Sequence, residues 1–281
     1  MYESKNIQNI VAVIIIFLIN FMPADQLHIT LIQADIAWED KPANLLQYER
    51  YLESITARKE LIVLPEMFNT GFTMNAADLA ESMDGPTVEW MKVMAQRHRA
   101  IITGSLIIED DGNYYNRLVW MQPDGRYGTY DKRHLFGYAE EDQYYTAGGK
   151  RLVTSVNGWR ICPLVCYDLR FPVWARNANN DYDVLLYVAN WPERRSLAWK
   201  TLLQARAIEN MSYCLGLNRV GDDGKNIHYS GDTSAFGPLG ETLLQTQQPG
   251  AHSIILEKSH LEQTRKQFPF INDADKFMLL D

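Results

Sequence analysis

Apolar residues along this chain fall into short dense runs closed by glycine, proline or acidic residues, alternating with longer segments where they recur at helical spacing. Residues 27–33 (LHITLIQ) alternate and predict a strand. Pro42 then opens a helical stretch carrying Leu45, Leu52 and Ile55, proline being suited to a first helical turn. Residues 61–64 (LIVL) form a continuous apolar run of the kind buried on both faces of a sheet, and it ends at Pro65-Glu66. Residues 71–86 read as loop, and a helix is expected around 88–99, with Trp90, Met91 and Met94 in the core. Residues 100–108 and 114–122 predict neighbouring strands joined through Asp110-Asp111-Gly112. Pro123-Asp124-Gly125 is a turn signal, and the next strand runs to Tyr130-Asp131-Lys132.

A glycine-bearing loop over 133–150 precedes a strand at 152–156, the Asn157-Gly158 hairpin signal, and an apolar strand from Trp159 into Cys166. Residues 183–189 (DVLLYVA) predict another buried strand, ending at Asn190-Trp191-Pro192. A helix over 196–209 and a strand over 211–219 follow. Further strands near Thr233, Thr242 and Ser253 are separated by GPLG at 237–240 and by Pro249-Gly250. Strands alternate with helices throughout, without repeats or a linker, which predicts one α/β domain.

The run at 10–21 (IVAVIIIFLINF) departs from this pattern. It is shorter than the roughly 20 residues that span a bilayer. The segment before it sets one Lys against one Glu, unlike the basic start of a signal peptide. Residues 1–24 are expected to be an apolar extension outside the folded unit, and 25–281 a single domain. Translation starting at Met22 is the favoured account of the extension; a weak signal or anchor and an extra packed strand are the others.

With 281 residues, 46% hydrophobic and 22% charged, the composition is that of an ordinary globular protein. A net charge of −8 argues against a general nucleic-acid surface, so no nucleic-acid partner is expected. The three cysteines, Cys162, Cys166 and Cys214, suit neither a disulfide framework nor the spacing of a structural zinc site. A reduced, cytoplasmic setting without stable membrane insertion is expected.

Three predicted strands end on reactive side chains: Glu66, Lys132 and Cys166. Open α/β sheets place ligands at the carboxyl ends of their strands. A thiol attacks as its thiolate, so it needs a proton acceptor. A carboxylate fills that role and later gives the proton to a leaving amine. An ammonium stabilises the oxyanion on an attacked carbonyl, and the backbone N–H of Tyr167 is the natural second donor. Each residue alone has a plainer reading: a solvated loop carboxylate, a surface lysine beside Asp131, a core cysteine. Cys162 and Cys214, inside apolar strands, are read as small core residues. His134, beside Lys132, leaves a Cys–His pairing open.

VLPE at 63–66, YDKRHLF at 130–136 and CYDLRFP at 166–172 resemble, in that order, the three signature blocks of the carbon–nitrogen hydrolase (nitrilase) superfamily. YVANWP at 187–192 and ARAIEN at 205–210 are similar to later blocks, and the resemblance covers about residues 27–277. It implies an α/β fold, the αββα sandwich of nitrilase type, and a homodimer. It also implies a triad of Glu66 as proton acceptor, Lys132 as oxyanion stabiliser and Cys166 as nucleophile, working without metal or organic cofactor. Many members carry a second glutamate after the lysine; within EEDQYYTAG at 140–148 the spacing favours Glu141 over Glu140, to orient the lysine and the substrate amide. A solvated acidic turn is the plain alternative there.

YDKRHLF and CYDLRFP most resemble the omega-amidase branch, whose enzymes hydrolyse the terminal amide of small 2-oxo acid amides, 2-oxoglutaramate and 2-oxosuccinamate, through a thioester. Such a small-molecule substrate carries a carboxylate, so the pocket should hold a cation or donors beyond the triad. Arg170 is the first candidate, with a structural ion pair as its alternative role, and Tyr138 and Trp191 are candidate pocket walls. Arg194-Arg195 reads as a charged helix start, with carboxylate binding as a second role. Three other readings stay open: a relative acting on carbamoyl, other aliphatic amide or nitrile substrates, a catalytically silent scaffold, and a Cys–His protease using His134.

Overall fold

A computed structural model describes residues 24–279. The apolar run at 10–21 and the proposed start at Met22 lie outside the described residues. Along the chain the strands are β1 (Gln26–Gln33), β2 (Leu61–Val63), β3 (Ile101–Asp110), β4 (Asn113–Met121), β5 (Tyr127–Asp131), β6 (Thr154–Val156) and β7 (Trp159–Val165). They continue with β8 (Val184–Val188), β9 (Tyr213–Leu217), β10 (Val220–Asp222), β11 (His228–Ser230), β12 (Thr233–Phe236), β13 (Thr242–Thr246) and β14 (Gly250–Glu257). The longer helices are α1 (Lys41–Ser54), α2 (Pro86–His98), α3 (Ser196–Asn210) and α4 (Lys258–Gln267).

Alternation in the strands sorts side chains between layers. Ile29 and Leu31 of β1 and Leu61 and Val63 of β2 join a core that runs from the first sheet through the second to α3. Ile32, Ile62 and Leu64 point the other way, under Tyr48 and Leu52 of α1 and Met91 and Met94 of α2. Burying each such aliphatic side chain contributes about 1.5–3 kcal/mol. The Asp40 side chain caps α1 by accepting from the Ala43 N–H at 3.0 Å, with Pro42 in the first turn. On the far side, Trp199 and Leu203 of α3 press onto Gly216 of β9, where a Cβ would stand 2.3 Å from Leu203 Cδ1. The result is helix, sheet, sheet, helix: the expected αββα sandwich.

The first sheet has the order β14-β1-β2-β3-β4-β5 and the second β13-β12-β9-β8-β7-β6. Strands β1, β2 and β3 are mutually parallel, and two antiparallel pairings bring β5 back to the same direction. In the second sheet β7 and β8 are parallel. Glu66, Lys132, Cys166 and Asn190 therefore all lie just beyond the carboxyl ends of strands.

The structure adds elements to the sequence reading. Helix α4 (KSHLEQTRKQ) has little apolar periodicity; Lys258 and Arg265 tie it to buried Asp183 at 2.6 and 3.2 Å. The β10–β11 hairpin was not expected, and the loop over 133–150 contains a one-turn helix, Glu141–Tyr144. The strand expected at 152–156 shortens to Thr154–Val156, and the loop over 71–86 holds the short helix Ala76–Leu79. Trp90 is only partly buried and donates to Glu49 at 2.9 Å. Among the described residues no helix is long and apolar enough to cross a membrane.

Candidate active site

Glu66, Lys132 and Cys166 line one cavity of about 130 Å³. Buried Glu66 accepts from Lys132 Nζ at 2.9 Å and Asn116 Nδ2 at 2.8 Å through one oxygen, and from the Asn190 N–H at 2.8 Å through the other. Lys132 also donates to both oxygens of Glu141, at 3.0 and 2.8 Å, and the Phe136 N–H holds Glu141 from behind at 2.5 Å. Glu140 is exposed, and its left-handed backbone (φ 60°) turns the chain so that Glu141 points inward. Of the two acidic neighbours, Glu141 is the one on the lysine.

Backbone strain surrounds these groups. Met67, directly after Glu66, has φ 42°, and Cys166 itself has φ 45°. Left-handed conformations at non-glycine residues cost about 1–3 kcal/mol each and concentrate at functional sites. The Cys166 conformation bends the chain from β7 into a 3₁₀ turn, Cys166–Arg170. The Tyr167 N–H opens that turn, where a backbone donor lacks an intrahelical partner.

Charge sets the resting protonation. Burial alone would depress the Lys132 ammonium, but the carboxylates of Glu141 and Glu66 reverse this and hold it well above its ordinary value. Burial raises Glu141 despite the opposing pull of Lys132, and the nearby Glu66 charge adds to the rise. Burial, then the negative charge of Glu66, holds the Cys166 thiol well above its ordinary range, with Lys132 acting the other way. Cys166 thus keeps its thiol proton with Glu66 in the same cavity.

His134 lies elsewhere. Its Nδ1 is 2.8 Å from Asp168 Oδ1, and its ring stacks on Phe171 with centroids 3.8 Å apart. It does not line the cavity with Cys166. Cys162 and Cys214 are fully buried, and burial pushes the Cys162 thiol up to about 12.

Trp191 forms a buried cavity wall, and Tyr138 stands 80% exposed at the rim. Arg170 is also exposed at the rim, its guanidinium 5.2 Å from the Trp191 ring centroid, rather than behind the site. Arg194 and Arg195 end a 3₁₀ segment, Glu193–Arg195, before α3, and both reach the same cavity. The sequence reading missed Asn116 and Asn190. Asn190 follows β8 as Cys166 follows β7, so the strand-end rule would have found it. Asn116 sits inside β4, where a single polar residue gives no such signal.

Residues 28–266 match the Carbon-nitrogen hydrolase family. The chain is 49% identical over 255 residues to Omega-amidase YafV of Escherichia coli, covering 90% of this chain and 98% of that one. It is 29% identical over 253 residues to the 2-oxoglutaramate amidase of Bacillus subtilis, covering 88% and 97%. A CN-hydrolase superfamily protein of Xanthomonas campestris, crystallised with an arsenic adduct in its active site, superposes with a TM-score of 0.89 at 43% identity, covering 91% of this chain and all of that one. With this similarity spanning both sheets and every group around Cys166, the chain belongs to the carbon–nitrogen hydrolase family.

Proposed function

We infer that the protein is an omega-amidase, hydrolysing the terminal amide of small 2-oxo acid amides such as 2-oxoglutaramate and 2-oxosuccinamate to the 2-oxo dicarboxylate and ammonia. The observation that carries this reading is a single cavity holding a thiol, a carboxylate and an ammonium at its floor and arginines at its mouth. The 49% identity to an Omega-amidase supports the substrate class.

Glu66 takes the thiol proton as Cys166 Sγ bonds to the amide carbon. Charge then leaves Glu66 and appears on the carbonyl oxygen, where Lys132 and the Tyr167 N–H receive it. Neutralising Glu66 weakens its hold on Lys132 at the moment the oxyanion needs that charge. Glu141 keeps the ammonium in place throughout. Glu66 returns the proton to the nitrogen, the C–N bond breaks and ammonia leaves a thioester. Glu66 next deprotonates water, which attacks the thioester; the acid departs and the thiol is restored. Trp191 and Tyr138 wall the cavity, and Arg170 adds positive charge at its rim.

Ammonia release from 2-oxoglutaramate by wild type and by Cys166→Ala tests this. Turnover lost on substitution supports both nucleophile and substrate class, whereas activity surviving in Cys166→Ala overturns the mechanism. A wild type silent on 2-oxoglutaramate, yet turning over a carbamoyl or nitrile substrate, would move the protein elsewhere in the family.

The reading extends to a cytoplasmic homodimer. Three buried, unpaired cysteines suit a reducing compartment. Leu197 and Ile208 on α3, with Leu239 in the adjoining turn, leave exposed apolar side chains for a second copy. Sedimentation velocity distinguishes dimer from monomer.

A further inference from the structure

The mouth of the cavity carries more positive charge than the proposed chemistry uses. Arg170, Arg194, Arg195 and Lys225 border it against a single rim carboxylate, Asp223. That carboxylate is engaged by its own loop: it accepts from the Lys225 and Ile227 N–H groups at 2.8 and 2.9 Å and from the Tyr229 hydroxyl at 3.0 Å.

Of the buried or half-buried arginines, Arg117, Arg206, Arg219 and Arg265 each pair with a carboxylate at 3.2 Å or less. Arg195 is half-buried at the cavity, and among the described residues its guanidinium forms no ion pair with a carboxylate. Arg133 and Arg176 are, like Arg195, half-buried without a carboxylate ion pair, but they donate to the Gly148 and Glu209 carbonyls, and of the three only Arg195 lines the cavity. Its guanidinium lies 5.0 Å from the Phe136 ring centroid, and its backbone carbonyl accepts from Trp191 Nε1 at 2.8 Å. Burial, then the positive charge of Arg194, pulls this guanidinium below its ordinary value, so an arriving anion would relieve it. Phe136 is also the residue whose N–H fixes Glu141 on Lys132, which ties the position of Arg195 to that of the reacting groups.

We propose that Arg195 is the specificity-determining residue of this site, receiving the carboxylate of the substrate at the end away from the amide. A planar guanidinium pairs with a carboxylate through two parallel hydrogen bonds. The half-buried position strengthens that pair relative to one made by exposed Arg170, because screening by water is weaker there. Arg170 is then an outer, auxiliary charge. The proposal rests on the omega-amidase reading and assigns its substrate-recognition step.

The test compares glutaramate with pentanamide, five-carbon amides that differ in whether a carboxylate or a methyl group ends the chain. Wild type is expected to favour glutaramate. Arg195→Ala lowers kcat/KM for glutaramate roughly 10- to 100-fold, chiefly through KM, the size of a lost charge-assisted hydrogen-bond pair. The same variant leaves pentanamide within about threefold of wild type, because that substrate never used the guanidinium. Arg195→Lys retains part of the preference, having the charge without the fork, and Arg195→Gln replaces Arg195→Ala if the latter fails to fold. Equal losses on both amides, or an unchanged glutaramate rate, overturn the role of Arg195 alone. A wild type that prefers pentanamide or hydrolyses neither amide overturns the omega-amidase reading beneath it.

Discussion

The Tyr130 hydroxyl donates to Asp168 across 2.7 Å, joining the end of β5 to the turn that begins at Cys166. The same buried carboxylate accepts from the Val165 N–H at 3.0 Å and from the His134 N–H at 3.0 Å. One side chain therefore sets the spacing between the strand that leads to Lys132 and the loop that carries the proposed nucleophile. Nearly every group facing it is a donor, so an amide in its place turns an NH₂ toward N–H groups. Asp168→Asn is expected to cost about 1–3 kcal/mol of stability in urea unfolding. It is expected to lower kcat about 100-fold, as misplacement of reacting groups does. An unchanged kcat in a folded variant would show that the Cys166 turn holds its position without this tie.

Glu66 and His134 make opposite predictions. Glu66 touches Lys132, Asn116 and Asn190 within the cavity, whereas His134 is committed to Asp168 and Phe171. Glu66→Gln removes the only proposed proton acceptor and is expected to lower kcat by about 100-fold or more. His134→Ala is expected to retain activity within about tenfold, its losses arising through the Asp168 tie. The reverse ranking in steady-state assays would restore the Cys–His reading.

What the sequence made legible follows from where the physics is local. Glu66, Lys132 and Cys166 each close an apolar strand, so strand direction alone carries them to one edge of the sandwich. Asn116 is different: its partner Glu66 is 50 residues away, and nothing in β4 marks the position until the sheets are stacked. Spacing already favours Glu141 over Glu140, but the left-handed Glu140 backbone that turns Glu141 inward shows only in the fold. Helix α4 escaped notice because ion pairs to Asp183 hold it, with Leu261 as its buried apolar anchor, rather than an apolar stripe. The arginines at the mouth were visible as residues, but their gathering around one cavity depends on contacts distant in sequence.

Glu141 and Glu140 are adjacent and differ in surroundings. Glu141→Gln keeps the shape but removes one of the two carboxylates that hold the Lys132 ammonium, at 2.8 Å. A donor then faces either Lys132 or the Phe136 N–H, and the lysine is freer to move. The expected result is a fall in kcat of roughly 100-fold with the fold retained, the scale of a lost electrostatic contact in a dry site. Glu140→Gln, at the exposed neighbour, is expected to stay within about twofold. Equal effects from the two would mean that the acidic turn acts through its overall charge.

Alkaline stability should report the buried thiols. Burial pushes Cys162 up to about 12 from an ordinary 9.0, and it raises Cys166 and Cys214 as well. Below pH 9 the folded and unfolded chains both keep the Cys162 proton, so this group adds no slope there. Between 9 and 12 the unfolded chain releases a proton that the folded chain retains, so the unfolded state is favoured as pH rises. Each such thiol lowers stability by about 1.4 kcal/mol per pH unit across that window. Cys162→Ala loses some stability at pH 7 through the space it leaves, but its alkaline decline should be shallower than that of wild type by the share of one thiol. Urea midpoints measured at intervals from pH 8 to pH 11 give both slopes. Parallel slopes for wild type and Cys162→Ala would mean that the Cys162 proton is lost as readily in the folded protein as in the unfolded chain.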